Sequence, residues 1–273
     1  MKSIFFALIT VLTLNAAATP KEKADYLGDM KNLVVATQKT RGGTYNFLNG
    51  STIAQFGVYE ERTKIKNHIR SLRLKTKIAG PTIDKEFDVL KKHLKSTNKM
   101  AFKLDSLIAF QAYSSLVKRM LKIGQETQKH FYAKGGKLNN QVSHLMMFSI
   151  LPLTDGLGKL RGLGSGIIAR TECEEEEVAL MQSYIEEINI HLKNLNTELR
   201  IIGKKYPKLY PKNIFNKYTK LSSEISAYIN FANTKVIDKS NIDEDPNRYF
   251  DEGAHLIKST AYFFNINQQI LSN

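Results

Sequence analysis

Apolar residues recur along this chain at helical spacing, and no segment alternates as a half-buried strand would. A first helix is predicted from Lys21 to about Asn49, where Asn49-Gly50 is a natural stop. A second runs from Ile53 to Ile78, carrying Phe56, Tyr59, Ile65, Ile69 and Leu72, and Gly80-Pro81 ends it. Thr82 to Ser96 reads as a shorter helix with Phe87, Leu90 and Leu94 inward, and Lys99 to about Ala133 as a long one before Gly135-Gly136. The second half follows the same plan. Leu138 to Ala169 is a helix that Pro152 should kink. Thr171-Glu172-Cys173-Glu174 has capping-box spacing ahead of a helix to Ile202, with Met181, Ile185, Ile188, Leu192 and Leu195 inward. Pro207 and Pro211 break the chain, Asn213 to Ile237 resumes it, and Asp243-Glu244-Asp245-Pro246 opens a last helix to about Leu271. About eight helices in two groups of four predict an all-α fold: two up-and-down four-helix bundles sharing long helices, with related halves at 19–135 and 136–273.

Within this pattern one short stretch occurs twice. Lys39-Thr40-Arg41-Gly42 returns as Lys159-Leu160-Arg161-Gly162, 120 residues later. Around the first copy Met30, Val34, Thr37, Arg41, Thr44 and Leu48 step by fours and threes, and around the second Ile150, Thr154, Leu157, Arg161, Gly164 and Ile168 do the same. That spacing keeps side chains on one inward seam, so both arginines point inward. A guanidinium does not escape burial by losing its proton, so it needs a negative partner. The partner is either a carboxylate of this chain, with Glu60, Glu61 and Asp155 as candidates, or a bound anion, the remaining alternative being that Arg41 snorkels to solvent. Two internal arginines on related helices fit a clamp for a small planar oxyanion, because the guanidinium fork matches two oxygens. Thr37, Gln38, Thr44 and Gly164 accompany them as candidate lining residues.

Other motifs carry less chemistry. Gly162-Leu163-Gly164-Ser165-Gly166 follows no strand and opens no βα unit, so it is not a phosphate loop. Gly158, Gly162 and Gly166 lie four apart on a helix, where small residues let a neighbour approach and, if they line a cleft, leave room for a ligand beside Arg161. The six histidines share no metal-ligand spacing, Cys173 stands alone between Glu172 and Glu174, and no catalytic constellation emerges. A binding protein without cofactor or metal is expected, not an enzyme.

The first residues form a basic tip, an apolar run from Ile4 to Leu14 and a small-residue end, the pattern of a secretory signal peptide cut after Ala18. The mature chain is then expected in the periplasm, with outright secretion as the alternative. Losing Lys2 lowers the formal charge from +14 to +13. Export and the scatter of basic residues argue against nucleic acid, whereas diffuse positive potential draws small anions.

Val35-Ala36-Thr37-Gln38-Lys39-Thr40-Arg41-Gly42-Gly43-Thr44-Tyr45-Asn46-Phe47-Leu48 resembles the first helix of the NIT domain, the nitrate- and nitrite-sensing module of bacterial receptors and antiterminators. Tyr59-Glu60-Glu61-Arg62-Thr63, Phe110 to Val117, Lys159 to Gly164, and Asn247-Arg248-Tyr249-Phe250 extend the resemblance over nearly the whole mature chain. It implies two four-helix bundles holding nitrate or nitrite between helices one and five, with Arg41 and Arg161 matching family arginines. The family's last helix usually offers a further arginine where this chain has Leu256, with His255 and Lys258 nearby. Members carry an output module, whereas this sequence ends at Asn273, so signalling is expected to pass through a membrane-bound partner protein. A homodimer is an allowed assembly. The alternative is a helical interaction module whose arginines are paired internally and which takes no small ligand.

Overall fold

The computed structural model describes residues 18–239 and 241–273. The expected signal peptide lies almost wholly outside the described residues. Among these the fold is all helical and no strand occurs.

Helix α1 spans Pro20–Leu48. Its start follows from sequence: Thr19 and Glu22 form a capping box and Pro20 fills the first helical position, where a missing N–H costs nothing. Gly50 takes a positive φ of 103° just beyond its end. Helix α2 is Ala54–Leu74, followed by the single turn Thr76–Ala79 and Gly80 at φ 87°. Helix α3 is Pro81–Met100 and α4 is Ser106–Tyr132.

The long helix expected from Lys99 to Ala133 is therefore broken near its start. The chain makes a 3-10 turn at Ala101–Lys103, and the Asp105 side chain accepts hydrogen bonds from the backbone N–H groups of Leu107 and Ile108, fixing a new N-terminus.

Helix α5 occupies 137–170 and contains a π-helical turn at Leu145–Ile150. Pro152 thus falls in the first turn of the α-helical segment Leu151–Arg170, directly after the wider π turn. Helix α6 is Glu175–Lys205, α7 is Ile214–Ala232 with a π turn at Asn233–Ile237, and α8 is Pro246–Ser272, capped by Asp245. The capping box before α6 is Glu174 with Glu177, not Thr171 with Glu174. Thr171 instead closes α5 in the left-handed region, at φ 64°.

Helices α1 to α4 pack as one bundle and α5 to α8 as a second, joined because α1 also packs on α5 and α8. The two central helices are buried almost all round. Between Met30 and Tyr45 the exposed positions are Asn32 and Lys39, and between Leu151 and Ile168 every residue except Lys159 is buried. The single inward seam expected for each is one line of a wider buried surface. Helix α2 differs in the other direction: Ile65, Ile69 and Leu72 are buried, but Phe56 and Tyr59 are exposed. Among the described residues no helix is long and apolar enough to cross a membrane.

Candidate functional site

The two Arg-Gly copies meet where α1 crosses α5. A Cβ built on Gly162 would lie 3.2 Å from the Gly42 Cα, and one on Gly42 would lie 3.6 Å from the Gly162 Cα. The backbones thus touch without intervening side chains. One turn to either side, α1 places larger groups over the other two glycines of the stripe: Arg41 and Gln38 over Gly158, and the Tyr45 ring over Gly166. The stripe serves close helix approach.

Both arginines are inside. Arg41 is fully buried and Arg161 is 3% exposed. Arg41 Nη1 lies 3.0 Å from Asp155 Oδ1 and donates to Ser114 Oγ at 3.3 Å, while the guanidinium sits 5.1 Å from the centre of the Phe110 ring. Of the three candidate carboxylates, Asp155 is the partner. Glu60 and Glu61 pair with Lys64 instead. Asp155 also accepts from Gln38 Nε2 at 3.3 Å and lies 3.4 Å from Lys159 Nζ, which in turn reaches Glu187 at 2.7 Å. Among the described residues Arg41 Nε and Nη2 find no hydrogen-bond partner, although both are buried.

Arg161 has a different environment. Among the described residues no carboxylate lies within 4.0 Å of it, and its Nε is buried without a partner. Its guanidinium is 4.4 Å from the centre of the Phe250 ring, an attraction worth ~2 kcal/mol when desolvated. Burial pulls its pKa down to about 10, a change that the nearby Tyr228 opposes and the Arg41 charge reinforces. It therefore remains a cation at neutral pH, held inside the protein without a carboxylate counter-ion.

The remaining sequence-derived candidates are buried nearby. Thr37 donates back to the Leu33 carbonyl of its own helix, and Thr44 is buried beside the Tyr113 hydroxyl. Beside Gly164 the space is filled by Tyr249, whose ring a Cβ would approach to 2.5 Å. Leu256 is buried, whereas His255 is exposed and faces Glu224 at 3.6 Å, and Lys258 is exposed. Neither basic neighbour turns inward to replace the arginine of the resembled family.

Seam spacing does not single out several residues around Arg161. Gly253 admits its stem, since a Cβ there would lie 2.7 Å from Arg161 Cγ, and Tyr228 donates to the Tyr249 carbonyl while Tyr249 donates to that of Leu160. The Asn247 to Phe250 motif is the available signal for two of these rings. On the Arg41 side, a cleft of about 1290 Å³ is bordered by Ser114, Asp155, Lys159, Tyr184 and His191. Among the described residues no group of His, Cys, Asp and Glu could hold a metal ion.

No family model matches the chain, and no curated protein matches it in sequence. Its fold is similar to that of the NasR transcription antiterminator. The TM-score is 0.70, and the match covers 93% of this chain and 68% of the NasR chain at 13% identity. The likeness to NasR therefore runs through both bundles, and at that identity it shows the fold alone.

Proposed function

We propose that this protein binds nitrate or nitrite between α1 and α5 and acts as an exported sensor or ligand-binding protein. The observation that carries the reading is Arg161, a buried guanidinium with no carboxylate beside it among the described residues. Asp155 compensates Arg41 and is shared with Lys159, so it offers Arg161 no ion pair. A small planar oxyanion would supply the missing charge and accept from the unpartnered Arg161 Nε and Arg41 Nη2. The NIT-domain resemblance and the likeness of fold to an antiterminator agree with a sensory role. Binding would favour one arrangement of the two bundles, which a partner protein in the membrane would read from the periplasm.

A thermal-shift titration with nitrate, nitrite, chloride and sulfate at matched ionic strength tests this. A ligand of the folded state stabilises it by about 2.7 kcal/mol at a hundred times its Kd. A saturable rise with nitrate or nitrite, absent in Arg161→Gln and Arg41→Gln, is expected. Equal small shifts for every anion, or full shifts in both variants, would overturn it.

The Arg41–Asp155 pair favours a second reading, a helical interaction module whose charges are settled internally. That reading expects no anion-specific shift.

A further inference from the structure

On the outer side of the first bundle, α2 and α3 diverge and leave a groove of about 1070 Å³. Its floor is apolar, formed by Ile65, Ile69 and Leu94, and its two ends carry exposed apolar side chains, Tyr59 and Leu74. Those ends stand roughly four turns of α2 apart, about 22 Å. The walls are basic. Lys66 and Arg70 on α2 face Lys91, Lys95 and Lys99 on α3, all exposed, and none of the described residues lining the groove is acidic. Among the described residues none of these five has an ion pair within 4.0 Å, although cations elsewhere on the surface often do: Lys64 with Glu60, Arg119 with Glu86, Arg73 with Asp88 at the groove's rim.

We propose that this groove docks an acidic amphipathic helix of a partner protein. The spacing of the cations is helical on both walls, 66 and 70 on one and 91, 95 and 99 on the other, so they flank the floor as two parallel rows. A helix laid along the groove would set apolar side chains on the floor and against Tyr59 and Leu74, with acidic residues on both flanks. A nucleic acid would meet the cations but make no use of the apolar floor and ends. The groove is separate from the arginine site, so this inference stands whether or not an anion binds there.

The test uses the full mature chain and a fluorescent synthetic helix of about 18 residues, long enough to span the groove, with leucines on one face and glutamates on both flanks. Controls are the same helix with lysine for glutamate and a single-stranded oligonucleotide of similar length. Saturable binding of the acidic helix is expected at low salt, weakened about tenfold or more in the Lys66→Glu/Arg70→Glu and Lys91→Glu/Lys95→Glu variants and reduced in Leu74→Asp. These positions are exposed, and unchanged thermal unfolding of each variant would show that the fold is kept. No saturable binding by the wild type, binding unaffected by charge reversal, or tighter binding of the oligonucleotide through the same lysines would overturn the proposal.

Discussion

Arg41 and Asp155 form a 3.0 Å ion pair in which the arginine has no contact with solvent and the aspartate side chain is only 4% exposed. Removing one partner of such a pair leaves an uncompensated buried charge, which costs about 3–5 kcal/mol. Asp155→Ala should lose stability of that order in chemical denaturation. Nitrate should restore part of it, and by a larger increment than it adds to the wild type, because the variant presents two buried guanidinium groups without a carboxylate. Equal increments in both proteins would count against the oxyanion reading.

Two glycine substitutions should act in opposite directions. A Cβ at Gly166 would overlap the buried Tyr45 ring, which is hydrogen-bonded to Glu177 and cannot swing away. Gly166→Ala should therefore destabilise by about 1–3 kcal/mol despite its better helix propensity. Gly57 lies in α2 with nothing within 4 Å of a Cβ, and Gly57→Ala should stabilise by about 0.5–1 kcal/mol. Denaturant midpoints of both variants give the comparison.

Stability should fall as the pH drops below about 7. Burial lowers the pKa of His191, outweighing Glu187 and Asp155, which raise it, while Lys159 reinforces the lowering. Burial likewise lowers that of His68, against the opposing charges of Asp29 and Glu61. Each imidazole protonates in the unfolded chain near about pH 6.5 before it does in the folded one, so the unfolded state gains protons first. Stability is complete above the unfolded value and is lost as the pH falls through the lowered folded values. Denaturation at about pH 7.5 and about pH 5.5, on either side of that range, should show this slope, flattened in a His68→Gln/His191→Gln variant. An unchanged slope in the variant would assign the effect to other groups.

Much of this architecture is legible in the sequence because its signals are local. Asn49-Gly50, Gly80-Pro81 and Asp245-Pro246 mark helix ends through backbone preferences that tertiary packing does not alter. The repeated Arg-Gly is legible as an inward feature, and Gly158, Gly162 and Gly166 as a close-approach face. The break at Asp105 escapes the pattern because the apolar spacing continues across it, and only the cap reveals the new start. The surroundings of Arg161 are harder still. Phe250, Gly253 and Tyr228 come from α7 and α8, and no periodicity within α5 indicates which distant residues meet it. Phe56 and Tyr59 are apolar side chains in a helical pattern that packing leaves in solvent, which spacing alone does not distinguish from core.

The contact of Gly42 with Gly162 also limits how the two bundles can move. At that one point the backbones are closest, while on either side Arg41 and Tyr45 fill the gaps over Gly158 and Gly166. Sliding α1 along α5 would carry those large side chains away from the glycines that make room for them. A small change of crossing angle about the glycine contact disturbs far fewer atoms. The joint is therefore shaped to oppose sliding more than a change of crossing angle.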